Sequence, residues 1–220
     1  MPGRQQAIGG KMKTKTKRVY ENIEEFMEAM NSGKIKVGDE LVTRDIQGKA
    51  KFVVANIEPE KKAILNEIIL IEGLSYNVVS MVRKYALEDP KPIKSKDFDL
   101  FKWLNNEYYD SFPIEVRKRM IDQDGRHRID LPMESEVFGK NEYGVPEKWR
   151  QWEYFKNTKN RICTTKKDDE YSHWWWLGTQ HRASAASFCT CVNLGYADYY
   201  GASYAYRYVR PRFILAQRNR

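Results

Sequence analysis

One stretch of this chain lacks several of its commonest residue types altogether. Lys, Glu, Gln, Met and Trp supply 60 of the 220 residues, yet none occurs in the 28 positions from His181 to Tyr208. Tyr, Ser, Ala, Gly, Asp, Asn, His, Arg, Thr, Cys, Val, Leu and Phe do occur there. Those are residues reached from an Asn codon when only its first two bases change. A structural demand for small or aromatic side chains would not exclude Lys and Gln. A mutational process acting on adenines would.

Other absences narrow the functional classes. Three cysteines, Cys163, Cys189 and Cys191, make no even-numbered disulfide framework, so a reducing cytoplasm and a packed core are expected. The longest aliphatic run, Ile68 to Ile71, is four residues, far short of the roughly 20 that span a bilayer. The basic N-terminus leads into no apolar segment, which argues against a secretory signal. No Gly-rich phosphate loop, nucleophile elbow or kinase signature is present. His127, His173 and His181 are scattered, with no carboxylates at metal-box spacing. Cys189-Thr-Cys191 is a weak metal or redox signal, and Cys189 reads as a small buried hydrophobe. Asp168-Asp-Glu170 reads as an acidic solvated turn rather than a cation site. No cofactor, metal or catalytic group is therefore expected.

What is present fits one domain with a substantial core. Six of the 220 residues are Trp, and aromatics make up 13%. The net charge of +8 is misleading, because Arg4, Lys11, Lys13, Lys15, Lys17 and Arg18 carry +6 of it with no acid among residues 1–18. The rest is nearly neutral, which argues against a nucleic-acid role and reads residues 1–18 as a solvated, disordered tail. Residues 19–37 are expected to hold an N-terminal helix and its connection, with the main domain over 38–220.

The helix is placed at Asn22–Met30 by Ile23, Phe26, Met27 and Met30 on one face, a capping pattern at Asn22 and Glu25, and a stop at Gly33. Strands are expected at Glu40–Arg44 and Lys51–Ile57, turning at Asp45–Gly48, and at Ala63–Ile71, buried on both faces. Asp97–Asp110 reads as the clearest helix, striped by Leu100, Trp103, Leu104 and Tyr108. A second helix is expected from Pro113 to about Ile121. Ile129–Met133, Tyr171–Leu177 and Val209–Leu215 read as later strands, giving an α+β class.

Two segments bracket the depleted window. Trp174-Trp175-Trp176-Leu177 packs as a strand with one face in the core and the other supporting a loop. Val209-Arg210-Pro211-Arg212-Phe213 reads as a closing strand, with Arg210 paired to an internal acid. Between them, Tyr196, Tyr199, Tyr200, Tyr204, Tyr206 and Tyr208 are six of the chain's fourteen tyrosines. Rigid aromatic anchors separated by small, adaptable residues have the composition of antibody paratopes.

Several runs together resemble one family. Phe98-Asp-Leu-Phe-Lys-Trp-Leu-Asn105, Leu131-Pro-Met-Glu-Ser-Glu-Val-Phe-Gly139, Trp174-Trp-Trp-Leu177, Phe188-Cys189 and Val209-Arg-Pro-Arg-Phe213 are similar to the variable proteins of diversity-generating retroelements. In these, an error-prone reverse transcriptase randomises adenines of Asn codons. The resemblance covers about residues 38–215 and is strongest beyond residue 95. It implies a C-type-lectin-like fold with two main helices, a small antiparallel sheet and an irregular, loop-rich ligand-binding half. It also implies a binding protein, not an enzyme, whose variable region covers about 178–208. Its ligand would be a protein or a cell surface, and its place a virion, or the cytoplasm before assembly. By position, the variable ligand-facing residues are His181, Arg182, Ser184, Ala186, Ser187, Thr190, Asn193, Tyr196, Asp198, Tyr199, Tyr200, Gly201, Tyr204 and Tyr206. Trp174, Trp175, Trp176, Arg210 and Pro211 form the scaffold. Gly178-Thr-Gln180 departs from the Arg-Ser-Pro expected after Trp-Trp-Leu, and the calcium–sugar motifs of true lectins are missing. Two rivals stand beside this reading: a viral tail component without diversification, and a formylglycine-generating-like oxidase that uses its cysteines.

Overall fold

A computed structural model of the chain describes residues 17–59, 62–67, 99–122, 128–165, 170–184, 186–202 and 208–216. Two sheets dominate. Strands β1 (Val19–Tyr20), β2 (Glu40–Asp45), β3 (Gly48–Glu58), β4 (Lys62–Glu67), β5 (Met120–Ile121), β6 (Ile129–Asp130) and β10 (Arg212–Leu215) form a seven-stranded sheet. Its order is β1-β2-β3-β4-β10-β5, with β6 also paired to β10. Strands β7 (Trp175–Gln180), β8 (Ser187–Cys191) and β9 (Ala197–Gly201) form a second, antiparallel sheet.

This architecture corrects the expected class. The described residues do not form two main helices beside one small sheet, the arrangement implied by the C-type-lectin-like resemblance. Among the described residues the helices are short: α1 (Ile23–Asn31), α2 (Asp99–Trp103), α3 (Ile114–Arg117) and α4 (Glu134–Phe138). The helix expected from Pro113 to Ile121 ends at Arg117. Met120 and Ile121 pair instead with Leu215 and Ile214, and Arg119 O accepts from Ala216 N at 3.1 Å. Long-range pairing to the last strand has overridden local helical periodicity.

The long helical stripe is also divided. After Trp103 the chain widens into a π-helical turn, Leu104–Tyr108. Asn105 on this turn clasps β6: its Nδ2 donates to Ile129 O at 2.7 Å, and its Oδ1 accepts from Ile129 N at 3.1 Å. Leu100, Trp103, Leu104 and Tyr108 are all buried, as the stripe requires. Asp97, the expected start of this helix, lies outside the described residues.

Local signals elsewhere act where they stand. Asn22 Oδ1 accepts from Glu24 N at 2.7 Å and Glu25 N at 3.4 Å, and Gly33 leaves the helix at φ 69°. Asp45 Oδ1 accepts from Gln47 N at 2.8 Å, which shapes the β2–β3 turn before Gly48 at φ 89°. Ala63, Ile64 and Leu65 of β4 are fully buried, so both faces of that strand are covered. Residues 68–71, expected to continue it, lie outside the described residues. So do residues 1–16 of the expected tail. Lys17 and Arg18 belong to the folded body: Lys17 pairs with Glu40, and Arg18 N donates to Asp39 Oδ1 at 3.1 Å.

Each face of the large sheet builds a core. One joins α1, α2 and the π turn to Phe52, Val54, Leu65 and Phe213. The other joins Ala55, Ile64 and Ile214 to Val137, Trp152 and Phe155. The second sheet feeds both. Trp176 and Phe188 enter the first core, while Trp175, Leu177, Cys189 and Cys191 enter the second. The Trp run therefore buries both faces of its strand, instead of leaving one to support a loop.

Candidate ligand-binding surface

The window after Gly178 begins as the end of β7, crosses to β8, turns at 193–196 and runs along β9. Strand pairing and turn hydrogen bonds hold much of its described backbone. His181 N donates to Ser187 O at 2.9 Å and Ser187 N to Ser184 O at 3.1 Å, closing the β7–β8 turn. At the next turn Val192 N donates to Tyr196 O and Gly195 N to Val192 O, each at 2.9 Å. Gly195 has φ 80°, a conformation that favours glycine, and a Cβ there would stand 3.2 Å from Thr158 O.

On this backbone the side chains divide by burial. Arg182, Asn193, Tyr196, Tyr199, Tyr200 and Gly201 are exposed, with Tyr196 at 63%, Tyr199 at 41% and Tyr200 at 37%. His181, Ser184, Ala186, Ser187 and Asp198 are half-buried. Thr190 does not fit the expected ligand-facing set. It is fully buried in β8 between Cys189 and Cys191, and its hydroxyl has no hydrogen-bond partner among the described residues. Tyr204 and Tyr206 lie outside the described residues.

Strand alternation sends Tyr199 and Tyr200 to opposite faces of β9. Tyr199 stacks on His181 with ring centroids 4.0 Å apart at 30°, and meets Tyr143 at 5.3 Å. Tyr200 packs edge-on against half-buried Trp174 at 6.2 Å. The exposed tyrosines thus form two patches on either side of an edge strand, with Tyr196 at the hairpin tip. Desolvation, and then the charge of Arg182, hold the His181 imidazole below its ordinary pKa. Its Nδ1 accepts from Ala183 N at 3.3 Å.

The frame beneath is aromatic and cationic. Trp175 donates its indole N–H to Arg161 O at 3.0 Å. The Arg210 guanidinium lies 5.2 Å from the Trp175 ring and 5.0 Å from Phe155, and donates to Asn160 O at 2.9 Å. Arg210 was expected to pair with an internal acid. In the same segment Arg212 pairs with Asp130 at 3.4 Å. Pro211 is buried between them. Gly178 lets the frame close: a Cβ there would stand 3.0 Å from Met133 Sδ.

Sequence reasoning missed a group of residues outside the window. Glu134, at 0% exposure, accepts from Glu142 N at 3.1 Å, Tyr143 N at 3.0 Å, Gly144 N at 2.8 Å and Asn141 Nδ2 at 3.2 Å. Thr179 ties this group to β7, accepting from Glu134 N and donating to Glu147 Oε1, both at 2.7 Å. Glu134 lies inside an otherwise largely apolar run, Leu131–Phe138, and only its spatial partners reveal its role. Burial raises the Glu147 carboxyl above its usual range, against hydrogen bonds from Thr179, Asn141 and Ser135 that lower it. A raised folded-state pKa means the native chain holds this proton more tightly than the unfolded chain. Its stabilising contribution is present below the unfolded value and fades as pH rises through the folded one. Glu147→Gln should therefore gain stability relative to wild type as pH rises, which denaturant melts at stepped pH would measure.

Cys189 and Cys191 are fully buried, and burial pushes both thiols upward. That is the opposite of the depressed pKa of a reactive thiolate. Among the described residues, no group of three or more His, Cys, Asp or Glu is arranged to hold a metal ion. No described helix is long and apolar enough to cross a membrane. Clefts of 580, 670 and 320 Å³ are lined by residues outside 178–208.

Residues 59–217 match the model of a family described as a domain of unknown function, DUF6273, and the chain belongs to that family. No curated protein matches the chain, and no solved structure does. The match takes in β4, both bracketing segments and the whole depleted window.

Proposed function

We propose that this protein is a non-enzymatic recognition protein, a diversified variable protein of a retroelement, whose β8–β9 edge presents a changeable Tyr-rich surface to protein ligands. The observation that carries this reading is the separation of backbone from side chains in the window. Tyr196, Tyr199 and Tyr200 are exposed, while the hairpin bearing them is paired and underlain by Trp175, Trp176 and Phe188. A surface built this way tolerates substitution, because exposed positions away from caps and core move stability by only about 0.5 kcal/mol. The residue types absent from His181–Tyr208 supply the mutational half of the argument.

Protein ligands are favoured over small molecules because three clefts among the described residues lie elsewhere, and small ligands are taken into concave sites. Tyr suits such a face, giving large contact area with few torsions to freeze. The buried thiols support recognition over a cysteine-based oxidase. Assembly on a virion, or in the cytoplasm beforehand, accords with this reading.

Tyr199→Ala and Tyr200→Ala are each expected to leave stability within about 1 kcal/mol of wild type. Thermal melts check this, and a loss of about 3–5 kcal/mol would mark a core residue instead. Diversification itself is tested in the DNA beside the gene. A reverse transcriptase gene and a near-copy of the 3′ end, differing only at adenines, are expected. Their absence would leave a fixed structural component as the better reading.

A further inference from the structure

The aromatic patch around exposed Tyr199 also takes in half-buried Tyr143 from outside the window. Tyr143 lies 38 residues before His181, yet its ring completes a row with Tyr199 and His181. The segment carrying it joins the second sheet as an added edge: Arg182 N donates to Tyr143 O and Val145 N to Gln180 O, each at 3.0 Å. Glu134 holds the same segment from below through three consecutive N–H groups, those of Glu142, Tyr143 and Gly144. Gly144 permits the approach, since a Cβ there would stand 2.2 Å from Thr179 Cγ2 and 2.6 Å from Glu134 Oε2. Tyr143 is therefore held on both sides before any partner arrives. It also lies outside the depleted window, next to Glu142, one of the residue types excluded there.

We infer that Tyr143 is a constant contact residue of the recognition surface, and that Glu134 is the positioning residue that fixes it there. This rests on reading the window as a protein-binding face. In that face the side chains of His181 and Tyr199 change between variants, while the Tyr143 ring stays. Each variant then begins with one preorganised aromatic anchor and varies what surrounds it. Preorganisation of this kind lowers the ordering cost of binding. The partner is a protein surface able to lay an apolar or aromatic side chain against this row of tilted rings.

The test uses peptides selected from a random phage-displayed library on the full wild-type chain. A synthetic peptide whose binding is lost in Tyr199→Ala serves as the probe. Tyr143→Ala should weaken that peptide about tenfold or more. Ile114→Ala, which alters an exposed residue on α3, should leave it within twofold. Glu134→Gln should weaken the peptide in the wild-type background and add nothing in the Tyr143→Ala background, since positioning acts only through the ring. A purely structural role would weaken both backgrounds alike. Hydrogen exchange adds a readout independent of binding: Glu134→Gln should lose protection at residues 142–144 and keep it in β3 and β8. Tyr199-dependent peptides that bind Tyr143→Ala within twofold of wild type would overturn the inference and leave the surface reading standing. If no selected peptide depends on Tyr199, the surface reading itself fails, and the inference with it.

Discussion

Trp175→Ala is expected to cost the fold about 3–5 kcal/mol, the range for emptying a large buried aromatic site. The cause is local and countable. The ring is fully buried in the second core, stacks near Phe155 at 6.2 Å, and supports the Arg210 guanidinium at 5.2 Å. Its indole N–H also satisfies Arg161 O. Alanine would leave a cavity and remove one of the two aromatic faces beneath a buried cation. A loss of this size is a large fraction of a domain's net stability, so the variant should melt well below wild type or fail to accumulate. Chemical denaturation followed by tryptophan fluorescence measures it. A cost below about 1 kcal/mol would mean that the sheet bearing the tyrosines does not depend on this strand.

The second large effect is expected at Asp130. Asp130 and Arg212 are Cα partners in the β6–β10 pairing, their side chains meet at 3.4 Å, and both are almost completely buried. Asp130 Oδ1 also accepts from Leu131 N at 2.7 Å. Asp130→Asn keeps the shape and removes the charge, leaving the Arg212 guanidinium buried beside a neutral amide. Breaking a buried pair from one side costs about 3–5 kcal/mol, because the remaining buried charge loses its counter-charge. The measurement is again a denaturant melt. An Asp130→Asn, Arg212→Met double variant should recover part of the loss, since the stranded charge is then gone. A double variant less stable than either single one would contradict this account of the pair.

Local signals were legible wherever one short segment contains both cause and effect. The Asn22 cap, the Asp45–Gly48 turn, the buried stripe of Leu100, Trp103, Leu104 and Tyr108, and the closing strand at Arg212 are of this kind. The sheet order was not legible. β10 closes the chain by inserting between β4 and the short β5 and β6, and no periodicity announces partners so distant in sequence. That pairing converts Met120–Ile121 from the end of a helix into a strand, and with it the expected two-helix architecture fails. Thr190 illustrates the same limit in the window. Codon statistics concern which residue types can occur, while burial depends on β8 lying between β7 and β9. Tyr143 was invisible for a complementary reason. Nothing in Gly139–Gly144 shows that a buried carboxylate eight to ten residues earlier gathers its N–H groups.

The central claim is that a braced scaffold carries side chains free to change, and comparison of this gene across sister clones tests it most directly. Differences should concentrate in the codons for residues 181–208, at the first two bases of Asn-type codons, and favour exposed positions such as Tyr196, Tyr199 and Tyr200. Codons for Tyr143, Glu134, Trp175 and Asp130 should be unchanged. Clones identical throughout 181–208, or differing evenly along the whole gene, would contradict the account.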